Sequence, residues 1–183
     1  MNRKAPLSLL AFGIALFCAS AAWAAEAPTL AKIYDGQLTI VERDVVGLAE
    51  AMPAEKYGFA PTQGEFKGVR TFAEQVKHLA SVVYLASSAV LGQKPPVETG
   101  GENGPDTVKT KEQIVAYLKG AFAYGHKAMN SLTEKNQLDQ VQSPMGQSTR
   151  IASAGMTAWH SFDHYGQMVV YARMNGVVPP ASR

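Results

Sequence analysis

Residues 148–175, STRIASAGMTAWHSFDHYGQMVVYARMN, keep a helical period from end to end, and Gly176 with Pro179 and Pro180 closes the stretch. Taken at 100° per residue, one stripe of this helix collects Met156, His160, His164, Gln167 and Tyr171. The opposite stripe, Ile151, Ala154, Gly155, Ala158, Phe162, Tyr165, Val169 and Ala172, is apolar throughout, so the helix is expected to have few positions left for water. Polar side chains on a helix so enclosed need partners, because an unpaired buried polar group is costly. The small residues Ala154, Gly155 and Ala158 allow close helix approach. That back stripe is covered either by a second copy of the chain, giving a homodimer, or by the first or third helix of the same chain.

Three further stretches show the same period. Tyr34, Leu38, Val41, Val45, Leu48 and Met52 line one face until Pro53 stops it. Arg70 to Leu91 carries Phe72, Val76, Leu79, Val83, Ala86 and Val90 on one face and ends at Gly92. A third helix opens at Thr110, with Gln113 placed to complete a capping box, and carries Ile114, Tyr117, Leu118, Ala121, Tyr124, Ala128 and Leu132. The links 53–69 and 93–109 are rich in Gly and Pro, including GGENGP at 100–105, and are longer than simple bundle turns require. No strand alternation, internal repeat or low-complexity segment is evident. A chain of 183 residues suits one domain, and four amphipathic helices in one domain read as an all-α four-helix bundle. Up-down-up-down is the simplest wiring, while the long links leave room for a crossover.

Ahead of this domain, Arg3 and Lys4 precede the apolar run Leu7–Phe17, which is too short to span a bilayer, and Ala22-Trp23-Ala24 fits the small-x-small rule for cleavage before Ala25. Residues 1–24 are therefore expected to be a cleaved signal peptide and 25–183 the mature bundle domain, periplasmic or secreted, with no permanent membrane anchor. The single cysteine, Cys18, falls in the leader, so the mature chain has no disulfide, thiolate ligand or cysteine nucleophile. Removing Arg3 and Lys4 leaves basic and acidic side chains equal in number, which argues against nucleic acid as a partner. With 46% apolar and 17% charged residues the chain is neither a disordered tail nor a polar rod.

The chemistry sits with the histidines. His160 and His164, four residues apart, share a helix face with Cβ atoms about 5–6 Å apart and can converge on one ion. His78, in the middle of the second helix beside Val82, Leu85 and Ala89, is the natural third ligand. Three imidazoles leave at least one coordination position open, which marks catalytic rather than structural sites. The same spacing also suits core histidines satisfied by hydrogen bonds. His126 lies on the polar side of the third helix with Lys119 and Asn130 and reads as a surface residue. Asp163, Glu74 and Gln75 are candidates for a supporting shell or a fourth ligand, Glu74 and Asp163 are the candidate general bases, and Gln167 and Tyr171 are placed to meet a substrate.

Thr71–Ala80 (TFAEQVKHLA), Trp159–Gln167 (WHSFDHYGQ) and the closing RMNGVVPP at 173–180 resemble the DinB-like (DinB/YfiT) metal-binding four-helix bundles over nearly the whole mature chain. The resemblance implies an up-down-down-up bundle in which His78, His160 and His164 hold one divalent ion, zinc, nickel or iron. Some members of that family look like thiol-dependent transferases or isomerases. Export makes this chain a poorer candidate for cytosolic thiol chemistry, and a metal-activated water would serve hydrolysis without a thiol. Two functions follow as expectations. One is a metal-dependent hydrolase or thiol/group transferase acting on a small molecule that enters between the loops around 61–68 and 100–106; the other is a non-catalytic metal- or ligand-binding bundle.

Overall fold

The computed structural model describes residues 27–183; the expected signal peptide, its cleavage site and Cys18 lie outside the described residues. Four helices form the body: α1 Leu30–Ala51, α2 Phe72–Leu91, α3 Lys111–Met129 and α4 Arg150–Met174. Each begins at a threonine, Thr29, Thr71, Thr110 and Thr149, whose hydroxyl accepts an otherwise free amide three residues on. The expected capping box at Thr110 and Gln113 is present, and Thr71 with Glu74 forms a second. Among the described residues no helix is long and apolar enough to cross a membrane.

Pairings between helices fix the wiring. Asp35 and Glu50 of α1 meet His126 and Lys119 of α3, so these two run antiparallel. Ser81 and Ser88 of α2 meet Tyr117 and Tyr124 of α3, so these run parallel. Gln75 and Ala86 of α2 meet His164 and Ser153 of α4, which is antiparallel again. The order is up-down-down-up, with α1 and α2 each packed against both α3 and α4. Leu38, Leu48, Phe72, Leu79, Ile114, Leu118, Phe122 and Met168 fill the centre and are fully buried. Parallel neighbours explain the long second link. Residues 92–110 must travel back along α2, a 20-residue helix about 30 Å long, before α3 can start.

Three readings of the sequence are corrected. Strands were not expected, yet β1 Gln140–Ser143 and β2 Gly146–Thr149 pair as an antiparallel hairpin, and β2 delays the start of α4 to Arg150. Such short strands, QVQS and GQST, contain one apolar residue between them and carry no alternation to read. The back stripe of α4 is not uniformly enclosed either. Phe162 is 42% exposed, while Ser153, Thr157 and Ser161 are buried. Their hydroxyls donate to Ala86 O at 3.2 Å, Ala154 O at 2.7 Å and Thr157 O at 2.6 Å, which removes the cost of burying them and lets a polar stripe face inward. Part of the apolar stripe is covered within the chain, since Tyr34 of α1 lies against Gly155.

His126, expected at the surface, instead bridges α3 to α1. Its Nδ1–H donates to Asp35 at 2.6 Å and its Nε2–H to Glu42 at 2.9 Å. Both acceptors are carboxylates, so the ring is an imidazolium. Burial lowers its pKa, but the hydrogen bonds to Asp35 and Glu42 outweigh that and leave it raised above 6.5. A raised folded value means the bridge stabilises fully below about 6.5 and fades as pH climbs through the raised pKa. His126→Ala should therefore lower the thermal midpoint more at pH 6 than at pH 9; an equal loss at both would show that the bridge is not ionic.

Candidate metal centre

His78 sits in the second turn of α2, and His160 and His164 sit one turn apart on the facing side of α4. Antiparallel packing of these helices brings the rings together, with centroids 5.3 Å apart for His78 and His160, 4.7 Å for His78 and His164, and 4.5 Å for His160 and His164. One ring nitrogen from each lies within 4.8 Å of the others. Among the described residues this is the only set of three or more His, Cys, Asp or Glu side chains close enough to share an ion.

The surroundings of each ring decide which nitrogen is free. His78 Nδ1–H donates to the backbone carbonyl of Glu102 at 2.6 Å, and a carbonyl only accepts, so Nε2 keeps its lone pair. For His164 the direction comes from further off. The Asp163 carboxylate accepts from Gln167 Nε2 at 3.2 Å, which turns Gln167 Oε1 toward Gln75. Gln75 Nε2 donates to that oxygen at 2.8 Å, leaving Gln75 Oε1 to accept His164 Nδ1–H at 2.7 Å. A carboxylate at the end of the chain of amides thus assigns the His164 tautomer and leaves its Nε2 free. His160 Nδ1 is buried with no partner. An orphaned nitrogen beside two oriented imidazoles is the arrangement that a metal ion would satisfy, and three neutral nitrogen donors suit zinc, nickel or iron.

Electrostatics agree with neutral rings. Burial lowers the pKa of His164 to about 3, aided by His160, His78 and Arg70. Burial also lowers His160 to about 4, with His78 and Arg70 pushing the same way and Asp163 opposing. His78 is lowered chiefly by burial, against the pull of the Glu102 carbonyl. At neutral pH no proton need leave these two α4 nitrogens before they can ligate.

The remaining candidates fall into place around this set. Glu74 Oε2 accepts from Thr71 N and Oγ1 at 2.8 and 2.9 Å, and its Oε1 accepts from Asn103 at 3.2 Å, so the carboxylate is committed to capping and to the crossover loop. Asp163 is exposed at the end of the amide chain, and Tyr171 donates to Arg70 O at 3.1 Å, fixing the chain where it enters α2. Sequence reasoning missed Arg70, Glu102 and Asn103. Arg70 Nη2 pairs with Glu102 at 2.8 Å and Nε donates to Asn103 at 3.1 Å. The visible signal was the GGENGP segment, whose neighbours could not be read locally.

That segment is held against α2 by Ser81 Oγ on Thr99 O at 2.8 Å and Lys77 Nζ on Pro105 O at 3.1 Å. Two of its glycines are required by geometry. Gly100 and Gly104 have φ of +65° and +75°, and a Cβ would lie 2.5 Å from the Gly104 carbonyl at the first and 2.6 Å from Lys77 Cβ at the second.

An up-down-down-up bundle whose second and fourth helices bring three histidines together has a group that could hold a metal ion. The chain belongs to the DinB superfamily, whose family model matches residues 37–168, a span containing all three histidines. Among solved structures it is similar to a DinB-like protein from Bacillus cereus ATCC 10987, with a TM-score of 0.65 and 17% identity over 80% of this chain and 93% of that one. It is also similar to a conserved protein from Enterococcus faecalis, with a TM-score of 0.64 and 16% identity over 80% and 97% of the two chains. At these identities the likeness concerns the fold. No curated protein matches the chain.

Proposed function

We propose that this is an exported, metal-dependent hydrolase or group transferase acting on a small molecule, with one divalent ion held by His78, His160 and His164. The observation that carries the reading is the orphaned, buried Nδ1 of His160 beside two histidines whose tautomers are set from outside. A divalent ion with open coordination positions would supply Lewis acidity for the reaction. This chain's own residues supply the rest: Gln75 and the Glu102 carbonyl orient the rings, and Asp163, whose charge is felt by His160 and which accepts from Gln167 on one oxygen, is the candidate base, since both oxygens of Glu74 are engaged by Thr71 and Asn103. A thiol-dependent reaction is less favoured because the expected export removes the chain from cytosolic thiol cofactors. A homodimer, if formed through α4, has Phe162 and Trp159 left to it, 42% and 53% exposed, beside Tyr34, Gln37 and Ile40 of α1.

The test is metal reconstitution followed by turnover. Protein loaded in turn with zinc, nickel and iron is expected to bind about one ion per chain and to hydrolyse or transfer groups on members of an ester, amide and thiol-conjugate panel. Stoichiometric metal without turnover by any loaded form would favour a non-catalytic binding bundle. Failure to take up any ion would leave only the fold.

A further inference from the structure

A cavity of about 410 Å³ opens beside the histidines, lined by Gly68, Val69, Arg70, Glu74, Gln75, Asn103 and Gln167. It lies between the two loops that flank the start of α2, and Gln75 belongs both to its wall and to the support of His164. The polar side chains of its wall are tied into hydrogen-bonded sets. Every side-chain oxygen already accepts: Glu74 from Thr71 and Asn103, Asn103 Oδ1 from Arg70, Gln167 Oε1 from Gln75, and Gln75 Oε1 from His164. The nitrogens are not used up. Gln75, Gln167 and Asn103 each spend one amide N–H on a neighbour, and the guanidinium of Arg70 keeps N–H groups beyond those on Asn103 and Glu102. Spare donors beside the guanidinium of Arg70 suit an acceptor-rich anion, while the Glu74 carboxylate on the same wall is turned to Thr71 and Asn103.

Arg70 already carries one carboxylate. Glu102 lays its carboxylate on Arg70 Nη2 at 2.8 Å, yet that side chain is 85% exposed. Its backbone carbonyl is pinned separately by His78. The side chain can therefore swing into water without disturbing the loop, which makes it a resident stand-in for an incoming carboxylate. We propose that the cavity binds the carboxylate of a small-molecule substrate, with Arg70 as its recognition residue and Glu102 as the group it displaces. As the substrate class of the site this rests on the metal reading, but the binding step can be measured with no metal present.

The experiment is calorimetric titration of metal-free and zinc-loaded protein with succinate, succinamide and phosphate at constant ionic strength, with metal content measured on the same samples. Succinate should bind saturably to both forms and succinamide should not. Arg70→Ala should weaken succinate by about 10-fold or more, the scale of one charged hydrogen bond, and Arg70→Lys should restore only part because the planar fork is lost. Glu102→Gln should tighten binding, a change opposite in sign that a merely damaged loop cannot produce. Equal binding of succinamide, preference for phosphate, affinity indifferent to Arg70, or no succinate binding to wild type and E102Q would each overturn the proposal. Succinate binding to protein that takes up no metal would instead remove the metal reading and keep the anion site.

Discussion

His160→Ala is expected to take bound divalent metal from about one equivalent per chain to a level undetectable after desalting. The loss in affinity should exceed about 100-fold, since replacing a residue that only orients a metal ligand already costs about 10–100-fold. The fold should survive. His160 is the one of the three whose Nδ1 is buried without a partner, so the metal-free wild type carries a desolvation cost that the alanine removes. Metal-free His160→Ala should unfold at a temperature equal to or above that of metal-free wild type, while added zinc should raise the midpoint of wild type alone. Calorimetric melting with and without zinc, alongside elemental analysis, reads both effects. Retained stoichiometric metal in the variant would show that the three rings do not share the ion.

The second large effect should come from a residue that touches no ligand. Gly100→Ala puts a methyl group 2.5 Å from the Gly104 carbonyl and demands φ +65° of a residue that disfavours it. The atoms it meets, the Gly104 carbonyl and Pro105 N, are backbone, so the crossover must move. With it goes the Glu102 carbonyl that holds His78 Nδ1–H at 2.6 Å, and His78 becomes free to turn. Metal affinity should fall about 10–100-fold. The bundle core lies elsewhere, around Leu38, Leu79, Leu118 and Met168, so helix content should be unchanged and the metal-free midpoint should move by only a few degrees. Glu102→Ala is the control: it deletes the carboxylate and leaves the carbonyl, and its metal affinity should stay close to wild type. If Gly100→Ala binds zinc as tightly as wild type, the loop is not part of the centre.

What could be read ahead of the structure divides along a physical line. Periodic apolar residues on α1 to α4, the cap at Thr110 and the pairing of His160 with His164 are local facts, written within a few turns of chain. The third member of the histidine cluster was legible because His78 sits among Val82, Leu85 and Ala89. Arg70, Glu102 and Asn103 were not, because their partners are some 30 residues away and depend on where the crossover runs. His126 was misplaced for the same reason: Asp35 and Glu42 reach it from the far end of the sequence. The inward hydroxyls of Ser153, Thr157 and Ser161 defeated a rule that puts polar residues outside, since two of the three satisfy themselves on their own helix.

The parallel run of α2 beside α3 has a chemical cost and a chemical return. A bundle wired with tight turns would bury the same leucines and phenylalanines, yet its second connection would pass nowhere near the second turn of the helix that carries the first imidazole. Here the detour forced by topology delivers a peptide oxygen to one ring and a displaceable acid to the neighbouring guanidinium. Grafting these histidines onto an idealised short-loop bundle would copy the donors while omitting the strand of backbone that aims one of them.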